Sequence, residues 1–283
     1  MILRPATAAD APAAAALIIA DDIATVGEPD YTLEDLHEEW DEIELARDTA
    51  VIEDEGRVIA CAHFRPGDCI AVVDPAHEGR GAGTQLLEWA FQRANERGEA
   101  KLRQGIGSNA ASARALLEQH GFKPVRHYFR MTRDVGPGDV EPDELRPLTA
   151  EDGPAVFALY EAAFKDRPDY TARDPDAWIA REFGGHSVDL GLSRMADGRG
   201  FAITCRWPDD VAYVELLGVH PDHAGQGLGT KLLQACFAAA AQAGFERVVL
   251  NVASDNPSAL HLYERVGMSQ RWRIDDYEKT LPD

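Results

Sequence analysis

The sequence is poor in cysteine and has no long apolar stretch. Among its 283 residues are four cysteines, Cys61, Cys69, Cys205 and Cys236, with no C-x-x-C pair and no histidine cluster beside them. This spacing predicts neither disulfides nor a metal site and is typical of a protein in the reducing cytosol. The amino terminus has no signal-peptide pattern, and its most apolar segment, 11–20, is too short to span a membrane. We therefore expect a cytoplasmic protein with no metal and no membrane partner.

Basic residues are scarce as well. Lys and Arg total 28 against 49 Asp and Glu, which gives a net charge of −21. Nucleic-acid binding needs clustered Lys and Arg, so this composition argues against a nucleic-acid partner. An acidic surface attracts cations and so favours a cationic substrate, but it also keeps a protein soluble. Both interpretations of the charge stay open.

The chain repeats itself. Residues 73–77 have a counterpart at 219–223, and the Gly-x-Gly-x-Gly-Thr run at 79–84 has one at 225–230, both at an offset of 146 residues. Short repeats of 20–50 residues are typical of solenoids, whereas a period this long predicts two copies of one domain.

A segment rich in Gly, Pro and acidic residues, 136–143, lies between the two copies and is typical of a linker. We therefore predict one domain at 1–135 and a second at 144–283.

Each copy shows the same coarse pattern. An Ala-rich amphipathic helix opens it, and apolar runs bounded by turns follow. A glycine turn then leads into a helix that ends near Gly98 or Gly244. A strand, a short helix and two closing strands complete the copy. The pattern predicts the α+β fold class, with a mixed, mostly antiparallel sheet flanked by helices in each domain.

The glycine turn carries the first chemical signal. In 219–230 a strand ends, a proline-containing turn follows, and glycines lead into a helix. Glycine lets the backbone approach a ligand, and the N–H groups and dipole of a helix start suit a phosphate. The order Gly229-Thr230-Lys231 is not that of a P-loop, and the spacing is not that of a dinucleotide fingerprint. A purely structural turn remains the alternative.

A second motif, N-P-S-A-L-H-L-Y-E-R-V-G-M at 256–268, adds the decisive pattern. Together the two motifs resemble the GNAT superfamily of acetyl-CoA-dependent N-acetyltransferases. The glycine turn is similar to its pyrophosphate motif, Q/R-x-x-G-x-G/A, and the later segment to its motif N-x-x-A-x-x-L-Y-x-x-x-G-F. The resemblance covers most of both copies. The usual opening Arg or Gln is replaced by Ala224 and, in the first copy, by Glu78.

The resemblance implies two tandem GNAT-like domains whose sheets splay apart around acetyl-CoA. Backbone groups of Leu217, Gly218 and Val219 would hold the pantetheine arm and polarise the thioester carbonyl, where donors stabilise the developing oxyanion. The other contacts implied in the second copy are Ala224, Gly225, Gln226, Gly227, Leu228, Gly229, Thr230, Asn256 and Ala259. Those in the first copy are Val73, Gly79, Gly81, Gly83 and Thr84.

The resemblance also implies a catalytic acid. Tyr263 matches the family's tyrosine, whose hydroxyl lies near the coenzyme sulfur and would protonate the departing thiolate while the neutral amine attacks directly. The alternative is that Tyr263 only packs against the coenzyme.

Glu215 is the candidate base. It lies on the strand that leads to the pantetheine contacts, and strict alternation would place it on one face with Tyr213 and Leu217. A carboxylate buried in this apolar run would be costly without a use, and burial would raise its pKa toward that of a base acting through water. Some family members carry the acid two positions earlier, where this chain has Tyr213. A solvated edge residue or a salt bridge is the alternative.

The first copy lacks both groups, because Cys69 corresponds to Glu215 and Leu117 to Tyr263. Losing a general acid or base costs about 10²–10⁴ in rate, so we expect this copy to be catalytically degenerate. It would bind coenzyme without using it or form one wall of the substrate cleft. The two-copy arrangement resembles that of mycothiol synthase, a tandem member of the family, although this chain is shorter.

We therefore expect transfer of an acetyl group from acetyl-CoA to a primary amine of a small molecule, in the second copy. The alternatives are a non-catalytic acyl-CoA-binding or regulatory protein, and a protein N-terminal or lysine acetyltransferase. Two fused copies would act as a monomeric pseudo-dimer or as a homodimer.

Overall fold

The structure, a computed structural model, describes residues 1–65, 68–167, 170–208 and 210–282. The helices are α1 (Ala11–Thr25), α2 (Leu33–Asp41), α3 (Leu45–Asp48), α4 (Ala82–Arg97), α5 (Ala111–Gln119), α6 (Gly153–Phe164), α7 (Pro175–Gly184), α8 (Leu228–Gln242) and α9 (Pro257–Arg265). The strands are β1 (Ile2–Arg4), β2 (Thr49–Asp54), β3 (Arg57–Arg65), β4 (Asp68–Val73), β5 (Lys101–Gly107), β6 (Lys123–Asp134), β7 (Arg146–Pro147), β8 (Arg194–Ala196), β9 (Gly200–Trp207), β10 (Val211–Val219), β11 (Arg247–Ala253) and β12 (Ser269–Thr280).

The chain divides into two compact units. The first unit comprises Met1–Tyr128 with Trp272–Asp283, and the second comprises Phe129–Arg271. The strand order is β1-β2-β3-β4-β5-β12 in the first unit and β6-β11-β10-β9-β8-β7 in the second. Most neighbouring strands are antiparallel, whereas β4–β5 and β10–β11 are parallel, since a helix crosses over between the members of each pair. The predicted α+β class with mixed sheets is confirmed.

The closing strands of the two copies are exchanged between the two units. β6 begins in the first unit and continues into the second, where it neighbours β11, while β12 pairs with β5 of the first unit from Ile274↔Gly107 to Thr280↔Lys101. Each copy closes with one long strand rather than the two that we predicted. Each compact unit therefore combines segments of both copies, and the repeat bounds 1–135 and 144–283 stay a prediction.

Helices cover both faces of each sheet. In the first unit, Val51 packs in the cluster that contains Leu36 and Trp40 of α2, whereas the next residue, Ile52, packs with Leu86 of α4. This division follows from the alternation of side chains along a strand. The second unit repeats it, with α8 and α9 on one face and α6 and α7 on the other. Among the described residues no helix is long and apolar enough to cross a membrane.

Candidate functional site

Strands β10 and β11 part midway along β10. Their parallel register joins Val211–Tyr213 to Arg247–Val249, and in the described part of the chain β10 then continues to Val219 in pairing with β9. The edge of Leu217, Gly218 and Val219 that faces β11 therefore borders a wedge-shaped gap. Backbone N–H and C=O groups along such a gap can pair with an extended ligand as they would with a strand.

Glycine is required in the turn after β10 for two separate structural reasons. Gly225 (φ +73°) and Gly227 (φ +82°) adopt left-handed backbone angles that residues with side chains rarely take. Gly229 has no such angle, but a Cβ there would lie 3.1 Å from Leu262 Cδ2, so its small size lets α8 pack closely against α9.

Gly227 is also the N-cap of α8 and makes no side-chain cap bond, so the cap residue does not occupy the first N–H groups of α8, which suit an anion. The backbone of Ala224, Gln226, Leu228 and Thr230 belongs to the same turn and first helical turn. Backbone N–H groups can bind an anion there without the Arg or Gln that opens the motif in the family that the sequence resembles.

A β-bulge lies where the candidate base was predicted. The pairing of β10 with β9 passes from Val214↔Thr204 to Leu216↔Ile203, so Glu215 is the extra residue of the bulge. Such bulges occur often beside active sites, because the extra residue re-aims the side chains around it.

The bulge overturns the predicted common face of Tyr213, Glu215 and Leu217. Val214 and Leu217 both pack on the α8 side, so Tyr213 and Leu217 lie on opposite faces. Leu216 packs on the α6 and α7 side. Glu215 is exposed rather than buried, and the predicted cost of burying it does not arise.

Tyr263 lies on α9 and is buried, at 8% exposure, in the core cluster that contains Leu232 and Val252. Burial raises the pKa of its phenol to about 12, against a smaller opposing effect of the Arg167 charge. The hydroxyl is thus fully protonated at neutral pH and available as a proton donor.

Asn256 has a structural task at the start of α9. Its side-chain oxygen accepts hydrogen bonds from the Ala259 N–H at 3.2 Å and from Ser258 Oγ at 3.0 Å. It therefore caps the helix that carries Tyr263, as asparagine commonly does. The corresponding Ala110 of the first copy makes no side-chain cap bond. A coenzyme contact of Asn256 or Ala259 stays a prediction.

The sequence analysis missed Glu182. This residue lies on α7 and is 8% exposed. Its pKa is raised, chiefly by burial; the charges of Arg181 and Arg173 lower it, and that of Glu215 raises it further. The signal was present in the sequence, because Glu182 follows the inward-facing Trp178 by four residues and so shares its helix face.

The equivalent region of the first unit encloses a cavity of about 430 Å³. Strand β4, the glycine turn and α5 line it, and it brings together the predicted residues Val73, Gly79, Gly81, Gly83 and Thr84. Cys69 and Leu117, the counterparts of Glu215 and Tyr263, are buried in the adjoining core.

Two acids stand among the polar residues that line this cavity. Asp21 reaches it from α1, and burial together with the charge of Glu78 raises the pKa of Asp21 to about 6. Glu78, which opens the glycine motif, accepts a hydrogen bond from Ser112 Oγ at 2.7 Å. Gln104 Nε2 of β5 donates to the Ala71 carbonyl of β4 at 2.9 Å, across the place where the second unit has its gap.

Comparison with known proteins identifies a family. The model of the acetyltransferase (GNAT) family matches residues 15–122 and 153–268. A mycothiol acetyltransferase of Tsukamurella paurometabola is 32% identical over 228 residues, which cover 74% of this chain and 76% of that protein.

Solved structures agree with this result. The crystal structure of a GCN5-related N-acetyltransferase from Sphaerobacter thermophilus matches with a TM-score of 0.80 at 27% identity, over 99% of this chain and 95% of that one. A tandem GNAT protein from the clavulanic acid biosynthesis pathway shares the fold, with a TM-score of 0.70 at 14% identity over 100% of this chain and 99% of its own.

Proposed function

The chain belongs to the acetyltransferase (GNAT) family, in a tandem form, and we propose that its second domain transfers an acetyl group from acetyl-CoA to the primary amine of a small molecule. The observation that carries this proposal is the set of features that occur together with the gap in the second unit. The glycine turn, Tyr263 and the bulge at Glu215 all accompany that gap, whereas the first unit has Leu117 and Cys69 in the corresponding positions.

The coenzyme would occupy the gap and the turn. Its pantetheine arm would pair with the backbone of Leu217, Gly218 and Val219, and its diphosphate would accept hydrogen bonds from the N–H groups at 225–230. The left-handed angles of Gly225 and Gly227 and the open N-terminus of α8 fit this assignment.

Tyr263 would donate the proton that the leaving thiolate needs. Desolvation in a cleft disfavours the charge of a released thiolate and makes it a stronger base than it is in water. The Tyr263 phenol is protonated at neutral pH, because burial raises its pKa to about 12, and it can supply the proton.

Glu215 would take the proton of the amine through a water molecule. In the overall step the amine nitrogen bonds to the acetyl carbon and the carbon–sulfur bond breaks. The proton of the amine passes to Glu215, and the sulfur receives the proton of Tyr263. An exposed base suits a proton that finally leaves for solvent.

We assign the first-unit cavity to a second, weaker coenzyme cleft that lacks the groups for turnover. The glycines of its turn have the same left-handed angles as those of the second copy, at Gly79 and Gly81. Asp21 and Glu78 bring negative charge to the place of a diphosphate, and like charges disfavour each other. Titration with acetyl-CoA should therefore show two sites of unequal affinity.

The class of acceptor amine is inferred from a relative and from the charge of the chain. Because one matched relative is a mycothiol acetyltransferase, mycothiol-type acceptors belong among the amines to be assayed. The large excess of acidic residues favours a cationic acceptor over an anionic one.

The test is free-thiol release from acetyl-CoA in the presence of a broad panel of amines. We expect thiol release that depends on at least one small primary amine. Coenzyme binding without any turnover would identify an acyl-CoA-binding protein instead, and turnover with peptides alone would identify a protein acetyltransferase. The absence of binding at millimolar acetyl-CoA would exclude the proposal.

A further inference from the structure

Helix α7 turns an acid toward the core of the second unit. Its two buried residues are Trp178, at 6% exposure, and Glu182, at 8%, and they share one face because they are four residues apart. Trp178 packs in the same cluster as Leu216, the neighbour of Glu215 on β10. The face of α7 that carries Glu182 thus packs toward the bulge, where the proposed acetyl transfer takes place.

Aromatic rings connect this face to the proposed thioester contact. Phe164 lies 3.3 Å from the position that a Cβ of Gly218 would take. The ring centroids of Phe164 and Tyr160 are 5.1 Å apart, and those of Tyr160 and Trp178 are 4.8 Å apart. Phe164 and Tyr160 are half-buried, whereas Trp178 is buried. We call Phe164, Tyr160 and Trp178 the aromatic wall. Glu182 lies one helical turn after Trp178.

The charge of Glu182 is balanced only in part by the arginines near it. Arg181 Nε lies 3.4 Å from Glu182 Oε1, but the Arg181 side chain is 65% exposed, so water screens this pair. Arg173 is exposed as well, and the third charged group acting on Glu182, Glu215, is an acid. A buried carboxylate is costly unless a cation offsets its charge, and a cationic ligand would do so.

Resting on the proposed function, we propose that Glu182 binds the cationic amine of the acceptor, and that the aromatic wall receives the apolar or aromatic group that carries this amine. Rings attract a cation as well as apolar surface. A carboxylate beside the amine would meet Glu182 and Glu215 and be repelled. The acceptor class is therefore a primary amine on an aromatic or alkyl skeleton without an adjoining carboxylate.

Glu182 and Glu215 have different tasks in this proposal. Glu182 holds the ammonium form as it arrives. Glu215 takes one proton from it through water and releases that proton to solvent, and the neutral nitrogen then attacks the acetyl carbon. The second nitrogen proton leaves by the same route, while the sulfur receives the proton of Tyr263, which solvent replaces. Removing the charge of Glu182 should thus weaken acceptor binding and leave the chemical step nearly intact.

The experiment compares 2-phenylethylamine with phenylalanine, which adds only a carboxylate beside the amine. The variants are Glu182→Gln and, as a matched control, Asp176→Asn, which removes an exposed acid from the same helix. We measure kcat and KM from thiol release at saturating acetyl-CoA. In parallel, we measure the calorimetric affinity of 2-phenylethylamine for the protein loaded with CoA, which requires no turnover.

We expect the wild type to prefer 2-phenylethylamine to phenylalanine. In Glu182→Gln the KM and the Kd for 2-phenylethylamine should rise about tenfold to a hundredfold, as expected for the loss of a charged hydrogen bond, with kcat within about twofold. Asp176→Asn should match the wild type. Because the substitution removes a buried charge, Glu182→Gln should unfold at the same temperature or a higher one.

Unchanged KM and Kd in Glu182→Gln would overturn the proposal, and so would a fall in kcat at unchanged KM, which would assign proton transfer to Glu182. A preference for phenylalanine would also overturn it while the acetyltransferase function stands. If no amine yields thiol, the proposed function fails, and the calorimetric comparison still decides whether Glu182 binds an amine.

Discussion

The duplicated glycine turn offers a matched pair of substitutions, Gly227→Ala and Gly81→Ala. Both glycines cap the helix that follows the turn, with φ 82° and ψ 2° at Gly227 and φ 88° and ψ 0° at Gly81. A Cβ would meet no atom within 4 Å at either position. Alanine therefore adds backbone strain at both sites and no steric clash.

The magnitude follows from these angles. Left-handed backbone costs a residue with a side chain about 1–2 kcal/mol, and the stiffer unfolded chain returns about 0.4–1 kcal/mol. We expect each variant to lose about 1 kcal/mol of unfolding free energy, which lowers the unfolding midpoint by about 2–4 °C. Scanning fluorimetry of the two variants should give nearly equal shifts.

Activity should separate the two variants. Gly227→Ala places a methyl group and a strained peptide where the diphosphate would approach, so the KM for acetyl-CoA should rise about tenfold or more. Gly81→Ala should keep the kcat and KM of the wild type, because its domain lacks the candidate acid and base. Thiol release at varied acetyl-CoA measures both. An equal loss of activity in the two variants would refute the assignment of turnover to the second domain.

Three further outcomes are expected. Burial raises the pKa of Asp276 to about 6, above its unfolded value, so its ionisation costs stability as pH rises through this range. Asp276→Asn should therefore raise the free energy of unfolding by up to about 3 kcal/mol at pH 8 and hardly at pH 4, as measured by urea unfolding. Equal increases at the two pH values would contradict this prediction. Gly218→Ala would place a Cβ 2.5 Å from Phe201 Cε1 and should cost about 1–3 kcal/mol, so an unchanged unfolding midpoint would count against the packing described. All four cysteines are free and buried, and burial raises the pKa of Cys61 to about 12. A thiol reagent at pH 8 should therefore label them only after the protein unfolds. A rapid phase of labelling in the native protein would contradict this prediction.

Local patterns predicted the glycine turn well, because positive φ and close packing leave glycine as the residue that fits at Gly225, Gly227 and Gly229. The burial of Tyr263 could be anticipated in the same way from the helix that carries it. These features depend on a few neighbouring residues, and the sequence records such neighbours directly.

Other features depend on partners distant in the chain. The bulge at Glu215 is set by the register of β10 against β9, so strict alternation along β10 alone predicted the wrong faces. The sequence repeat does not reveal the exchange of β6 and β12, because equivalent strands have equivalent patterns of side chains in either unit. Glu182 could have been found from its spacing to Trp178, but only by asking which acid on a helix faces inward.

Whether Tyr263 protonates the departing thiolate is tested most directly by the kinetics of Tyr263→Phe, measured with the best acceptor and saturating acetyl-CoA. Phenylalanine keeps the buried ring, so the Kd for acetyl-CoA and the unfolding midpoint should match those of the wild type. The kcat should fall by about 10²–10⁴, the usual effect of losing a general acid. A kcat within about threefold of the wild type, at an unchanged Kd, would contradict the assignment of Tyr263 as the acid.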